Sequence, residues 1–142
     1  AAPVVGATPS GVVHHENKWR LLRYRARPAG LAFKTPILLV PSLINRWEVL
    51  DLTAEKSLLR AMAAAGLRPY LVDWGTPNDE ERRFDTTAYV ARLERALAFL
   101  AKRARRAPAV MGYCMGGTLT VESAPGVGSC FTLEFVPSRP AR

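Results

Sequence analysis

Apolar and polar positions along the chain sort into short extended runs and two helical stripes. Residues 12–26, VVHHENKWRLLRYRA, alternate loosely, the period-two pattern of one or two half-buried strands. Arg27-Pro28-Ala29-Gly30 then reads as a turn. Residues 36–40, PILLV, are apolar on both faces, which suits the middle of a parallel sheet covered on both sides. PSLINRWEVLDL reads as a loop. A helix is expected from Thr53 to Ala65, capped by Asp51 or Thr53, ended by Gly66, with Leu58, Leu59, Met62 and Ala65 on its apolar face. RPYLVDWG is the next strand, and it runs into the polar loop TPNDEERRFD. A longer helix is expected from Thr86 to Arg106, capped by Asp85 or Thr86. Tyr89, Val90, Leu93, Leu97 and Leu100 share one of its faces, and its basic end suits the negative pole of the helix dipole. Pro108 stops it, and AVMGY forms a third buried strand.

The order strand, helix, strand, helix, strand implies right-handed crossovers and a parallel sheet with helices packed on it. Ligands in such sheets bind beyond the carboxyl ends of the strands. Three loops open on that edge: PSLINR, DWGTPN and YCMGG.

Composition adds bounds. The 142 residues suffice for one domain with a core, and 49% hydrophobic with 23% charged residues is the balance of a globular chain. No apolar run is long enough to span a bilayer. The net charge of +8 is read as solvated surface, because no basic strip interleaved with aromatics and no zinc-finger spacing supports a nucleic-acid partner. Two cysteines, Cys114 and Cys130, make no disulfide framework, which points to a reducing compartment. Residues 1–10 read as a flexible lead. They lack an initiator Met and the basic and apolar regions of a signal peptide, as expected of a processed chain or a fragment.

The chemistry concentrates at Cys114. G-Y-C-M-G-G fits the nucleophile-elbow pattern G-x-S-x-G with Cys for Ser. At a strand-to-helix corner, side chains at Gly112 or Gly116 would collide with the neighbouring strand and helix. The corner exposes the thiol, aims the Met115 N–H into the same space as half of an oxyanion hole, and sets a helix N-terminus behind the thiolate. The competing reading is a buried, inert cysteine beside a hairpin.

VVHHENKWRLLRY, TPILLVPSLINRWEVLDL, SLLRAMAAAGLRPYLVDWG and GYCMGG, in that order over residues 11–119, resemble the polyhydroxyalkanoate synthases, which have an α/β-hydrolase fold. The resemblance implies that residues 11–117 are the N-terminal part of such a domain, with an incomplete parallel sheet and flanking helices. It implies a Cys114 nucleophile that takes the acyl group of a 3-hydroxyacyl-CoA and carries it to a growing polyester chain. It further implies an oxyanion hole from the Met115 N–H with one from Leu43 or Ile44, and Gly112, Gly116 and Gly117 as elbow glycines. Asn45 and Arg46 are expected to bond loop backbone, the alternative being that they orient the loop over the site or touch a substrate. Asp73 and Trp74 are expected to fix the second loop beside the elbow. No cofactor or metal is called for. Expected partners are the thioester, the polyester, and a second synthase subunit or further copies of the chain. The expected location is the cytoplasm, at a polyester granule surface.

His14 and His15, the two histidines, precede the core and read as exposed spectators, since the family's base follows the nucleophile. No Asp and no His occurs after Cys114, so the expectation is a chain inactive by itself. Residues 116–137, GGTLTVESAPGVGSCFTLEFVP, resemble the closing strands of a sensor histidine kinase ATP-binding domain. Residues 118–142 are therefore expected to form a β-hairpin tail, turning at Gly126-Val127-Gly128, joined by fusion or truncation. The kinase's nucleotide motifs are absent upstream, so ATP binding is not transferred. A non-catalytic fragment that docks through an unpaired sheet edge is the alternative function.

Overall fold

The computed structural model describes residues 4–25, 27–43, 46–76, 85–113 and 130–131. Strands β1 (Ser10–Glu16), β2 (Trp19–Tyr24), β3 (Pro36–Val40), β4 (Arg68–Asp73), β5 (Ala109–Gly112) and β6 (Cys130–Phe131) form a sheet in the order β1-β2-β4-β3-β5-β6. Helices α1 (Leu58–Ala64) and α2 (Thr86–Ala104) are the crossovers from β3 to β4 and from β4 to β5. The strands from β4 through β6 run parallel, whereas β1 and β2 form an antiparallel hairpin laid on the outer edge of β4.

Register sorts the side chains. Leu21 lies opposite Val72 and Leu38 opposite Tyr70, all on the face that also carries Trp19 and Val40. That face is covered by Leu93, Ala96, Leu97 and Leu100 of α2. Leu22 and Leu39 both lie opposite Leu71, on the other face, covered by Leu59 and Met62 of α1. One residue of slip would exchange the two faces, so burial on both sides fixes the pairing. PILLV and RPYLVD read as continuous apolar runs because both of their faces are covered.

Several local expectations need correction. The first helix begins at Leu58, not Thr53, and its cap is Ser57, whose hydroxyl accepts the Arg60 N–H at 3.0 Å. The helix ends at Ala64; Ala63 is buried in its apolar face, and Ala65, the C-cap residue, is exposed. Both expected caps have other partners. The Thr53 hydroxyl accepts the Lys56 N–H at 3.1 Å, closing a turn, and Asp51 accepts the Thr8 N–H at 3.0 Å and the Thr8 hydroxyl. WEVL, inside the expected loop, is a 3-10 turn. The second helix is capped by Asp85, which accepts the Ala88 N–H at 3.1 Å, and it ends at Ala104.

Within the stretch read as a flexible lead, Thr8 is buried against Asp51 and Ser57, and the Gly6 N–H donates to the Asp51 carbonyl at 2.7 Å. The expected hairpin tail lies outside the described residues except for Cys130–Phe131, which pair in parallel with Val110 and Met111 on the far edge of β5. Among the described residues, no helix is long and apolar enough to cross a membrane.

Candidate active site

The carboxyl ends of β3, β4 and β5 lie side by side. Beyond the ends of β3 and β4 opens a cleft of about 610 Å³, lined by the β1–β2 turn with the start of β2 and by the segments that follow β3 and β4. β5 carries the ladder to the last described residue before position 114: the Tyr113 N–H donates to the Val40 carbonyl at 2.9 Å. Cys114, Met115, Gly116 and Gly117 lie outside the described residues, as do Ile44 and Asn45. Gly112 is the buried last residue of β5. Leu43 is half-buried against the α2-side core and lines the cleft.

The Asp73-Trp74-Gly75 segment ties the cleft together. Asp73 is 6% exposed at the end of β4. Its Oδ2 accepts from the Arg20 guanidinium, with Nε at 3.1 Å, and its Oδ1 accepts the Gly75 N–H at 2.9 Å. One carboxylate thus fixes both its own loop and the neighbouring strand. The Trp74 indole N–H donates to the Pro41 carbonyl at 3.2 Å, which joins the loop after β4 to the loop after β3. The Trp74 ring meets Tyr89 of α2 edge-on, with centroids 5.2 Å apart. Gly75 sits at φ +72°, and a Cβ there would fall inside the contact radius of the Lys18 carbonyl oxygen. Only glycine lets the β1–β2 turn close over this loop.

Arg46 lines the cleft at its exposed rim, and its guanidinium donates to Glu48 Oε1 at 2.7 Å. Glu48 is mostly buried, and its Oε2 has no hydrogen-bond partner among the described residues. Trp47, Ser42 and Thr76 complete the lining.

Lys18 and Arg20 of this lining were not expected from the sequence. The reason lies in topology. An antiparallel β2 brings the β1–β2 turn to the same edge as the carboxyl ends of the parallel strands, and strand alternation alone does not reveal which way a leading hairpin runs. The Arg20–Asp73 pair spans 53 residues.

His14 is not an exposed spectator. Its ring lies against Phe99, with centroids 5.1 Å apart, and against Trp19 at 5.6 Å, and Nε2 is 3.3 Å from Glu16 Oε1. Its place beside α2 half-buries it where an isolated strand would expose it. His15 is exposed, and neither histidine lines the cleft. Glu16 also accepts a guanidinium fork from Arg95 of α2, with Nη2 at 2.8 Å, which holds its carboxyl below the usual range. On the opposite face, burial pushes the Tyr24 phenol up, and the Asp51 charge adds to that shift. No group of three or more metal-ligating side chains occurs among the described residues.

A parallel sheet preceded by an antiparallel hairpin, with crossover helices on both faces and a cleft at the carboxyl edge, is an α/β-hydrolase architecture. Solved α/β hydrolases match it. A lidless α/β serine hydrolase from Xanthomonas campestris superposes with a TM-score of 0.64 at 9% identity, covering 91% of this chain and 62% of that one. An α/β hydrolase from a Mar Chica lagoon sediment metagenome gives 0.60 at 13% identity, covering 84% of this chain and 49% of that one.

The sequence likeness is more specific. Residues 3–62 match the family model described as the poly-beta-hydroxybutyrate polymerase (PhaC) N-terminus. The chain is 40% identical over 125 residues to a poly(3-hydroxyalkanoate) polymerase subunit PhaC of Haloarcula marismortui, covering 82% of this chain and 26% of that protein. It is 37% identical over 119 residues to the corresponding subunit of Haloferax mediterranei, covering 82% of this chain and 24% of that protein. The chain therefore spans about a quarter of the length of these curated relatives.

Proposed function

We propose that the chain forms the first part of the acyltransferase domain of a polyhydroxyalkanoate polymerase, with Cys114 as the acyl carrier. The observation that supports this reading most is the end of β5. The strand stays laddered to Val40 through Tyr113, the residue before Cys114 in the run G-Y-C-M-G-G, and a cleft opens at the same carboxyl edge of the sheet, beyond the neighbouring strands β3 and β4. In this reading the Cys114 sulfur attacks the carbonyl carbon of a 3-hydroxyacyl-CoA thioester. The N–H of Met115 and that of Leu43 or Ile44 hold the oxyanion. The carbon–sulfur bond to CoA breaks, CoA leaves as the thiol with the proton taken from Cys114, and the acyl group stays on Cys114. The hydroxyl of a second acyl unit then attacks that thioester, forming the ester bond and returning the cysteine. Thiolate is a suitable leaving group in both steps.

The base for these proton transfers is a downstream His in the family pattern. These 142 residues carry no Asp or His after Cys114, so we expect no sustained turnover from them alone. Work at a granule surface in the cytoplasm follows from the same reading. The tail from Gly116 onward, with its kinase-like run, is proposed as a joined segment. The genomic reading frame across Met115–Leu119 tests that, because an uninterrupted continuation to an Asp and a His would remove the join.

The central experiment incubates the purified chain with 3-hydroxybutyryl-CoA, follows CoA release and measures intact mass. The expected result is at most one 3-hydroxybutyryl group per chain, absent in Cys114→Ala, without further CoA release. Acylation that persists in Cys114→Ala would overturn the assignment of the nucleophile. Sustained release that disappears in Cys114→Ala would overturn the inactivity.

A further inference from the structure

Charge is unevenly placed on this molecule. The connections at the amino edge of the parallel strands, opposite the cleft, are residues 25–35 between β2 and β3, 65–67 between α1 and β4, and 105–108 between α2 and β5. None of them contains an Asp or a Glu. Together with the start of β4 they carry Arg25, Arg27, Lys34, Arg68, Arg105 and Arg106, all exposed except the half-buried Arg68. None of the six pairs with a carboxylate among the described residues. Helices α1 and α2 both end at this edge, but their C-termini bring only about half a negative charge each. The acidic run Asp79-Glu80-Glu81 belongs to the connection from β4 to α2, whose two described ends lie at the carboxyl edge. Residues 114–142 hold two Glu and two Arg, a net charge of zero.

The connection between β2 and β3 adds an apolar tip to this basic edge. Between Arg27 and Lys34 the chain reads Pro28, Ala29, Gly30, Leu31, Ala32, Phe33, with no hydrogen-bonding side chain. Pro28, Ala29, Ala32 and Phe33 are exposed, Phe33 at 59%. The tip is pinned by its backbone. The Gly30 N–H donates to the Arg27 carbonyl at 2.9 Å, and the Ala32 and Phe33 N–H groups donate to the Gly66 carbonyl at 2.9 and 3.2 Å. Gly66, at φ +84°, leaves no room for a Cβ beside Ala32, so the tip sits directly on the α1–β4 turn. The Phe33 ring is thus held in water among cations rather than folded back onto the core.

We propose that this edge docks on an anionic phospholipid surface, with Phe33 entering the headgroup layer while Arg27, Lys34 and the cations of the neighbouring connections meet lipid phosphates. Two features select lipid. Cations held beside the interface are drawn to anionic headgroups, and an apolar side chain set among them leaves water when it enters that layer. A nucleic acid is met by aromatic stacking platforms and hydrogen-bonding side chains, and the tip provides one ring and no polar side chain. The cleft opens at the opposite edge of the sheet, so docking by this face leaves it turned away from the lipid. The inference is independent of the acyl-transfer reading.

The test sediments the 142-residue chain with vesicles of phosphatidylcholine alone and of phosphatidylcholine mixed with phosphatidylglycerol, and titrates a short DNA duplex as the control polyanion. The variants are Phe33→Ser and the double charge reversal Lys34→Glu with Arg106→Glu. All three side chains are exposed, so both variants are expected to keep the wild-type circular dichroism. The wild type is expected to sediment with the anionic vesicles only and to be released by added salt. At about fivefold per cation, the double reversal should weaken that binding by at least about twenty-fivefold. Phe33→Ser should weaken it by about three- to tenfold and leave binding to the duplex unchanged. Anionic-vesicle binding that either variant retains at the wild-type level overturns the proposal. So does a wild type that shows no preference for the anionic vesicles, and so does tighter wild-type binding to the duplex than to those vesicles.

Discussion

Replacing Gly75 with alanine tests the packing that closes the cleft. Two costs act together. The residue sits at φ +72°, where an L side chain costs about 1 kcal/mol. The new Cβ also overlaps the Lys18 carbonyl oxygen and lies 3.1 Å from the Lys18 carbonyl carbon, both backbone atoms that cannot rotate away. Moving a backbone segment out of such an overlap costs about 1–3 kcal/mol. The sum is about 2–4 kcal/mol, or roughly 8–16 °C in Tm for a chain of this size. Gly30→Ala is the internal control. Gly30 has φ +82° but nothing within 4 Å of its would-be Cβ, so it carries the first cost without the second. The assay is thermal unfolding of wild type and both variants by circular dichroism at one pH. Gly30→Ala is expected to lose about 4 °C and Gly75→Ala at least twice that. If the two variants lose the same, the turn does not press on this loop and the description of the cleft is wrong.

Three further predictions, with one reference variant, follow from other contacts. Trp74→Phe removes the indole bond to the Pro41 carbonyl and some buried volume, and should cost about 1–2 kcal/mol in urea unfolding. Thr8→Val leaves Asp51, which is 2% exposed, without its hydroxyl partner and should cost about 1–3 kcal/mol in the same assay. Lys34→Ala, at an exposed position, is the reference there and should stay within about 0.5 kcal/mol of wild type. Glu16 has a lowered pKa because of Arg95, so its contribution to stability is complete above the ordinary glutamate range and is lost as pH falls through the lowered value. Glu16→Gln should flatten that acid limb of the Tm-against-pH curve and leave its neutral region displaced downward.

Much of the frame could be read along the chain. PILLV and RPYLVD announce buried parallel strands by having no polar face, and the α2 stripe of Leu93, Leu97 and Leu100 is a plain helical period. The Asp85 cap and the Arg27–Gly30 turn, closed by the Gly30 N–H on the Arg27 carbonyl at 2.9 Å, are local chemistry that a sequence displays directly. What could not be read depends on partners far away. Asp51 looks like a helix cap until Thr8, 43 residues earlier, takes its carboxylate. His14 looks exposed until Phe99 arrives from α2. At the cleft, DWG could be recognised as a loop but not as the junction of β2, β3 and α2, because the partners that make it one, Arg20, Pro41 and Tyr89, belong to other elements.

The strand order has a consequence for synthesis. β2 and β3 are consecutive in the chain but never pair, because β4, made later, is inserted between them. As the polypeptide emerges from the ribosome, the β1–β2 hairpin and β3 each wait with a bare hydrogen-bonding edge until Arg68–Asp73 appear and fill the gap from both sides. β4 is thus a keystone in time as well as in space. Codon changes that slow translation between residues 41 and 73 would prolong that interval and lower the soluble yield, even though the finished protein would have an identical sequence and identical stability.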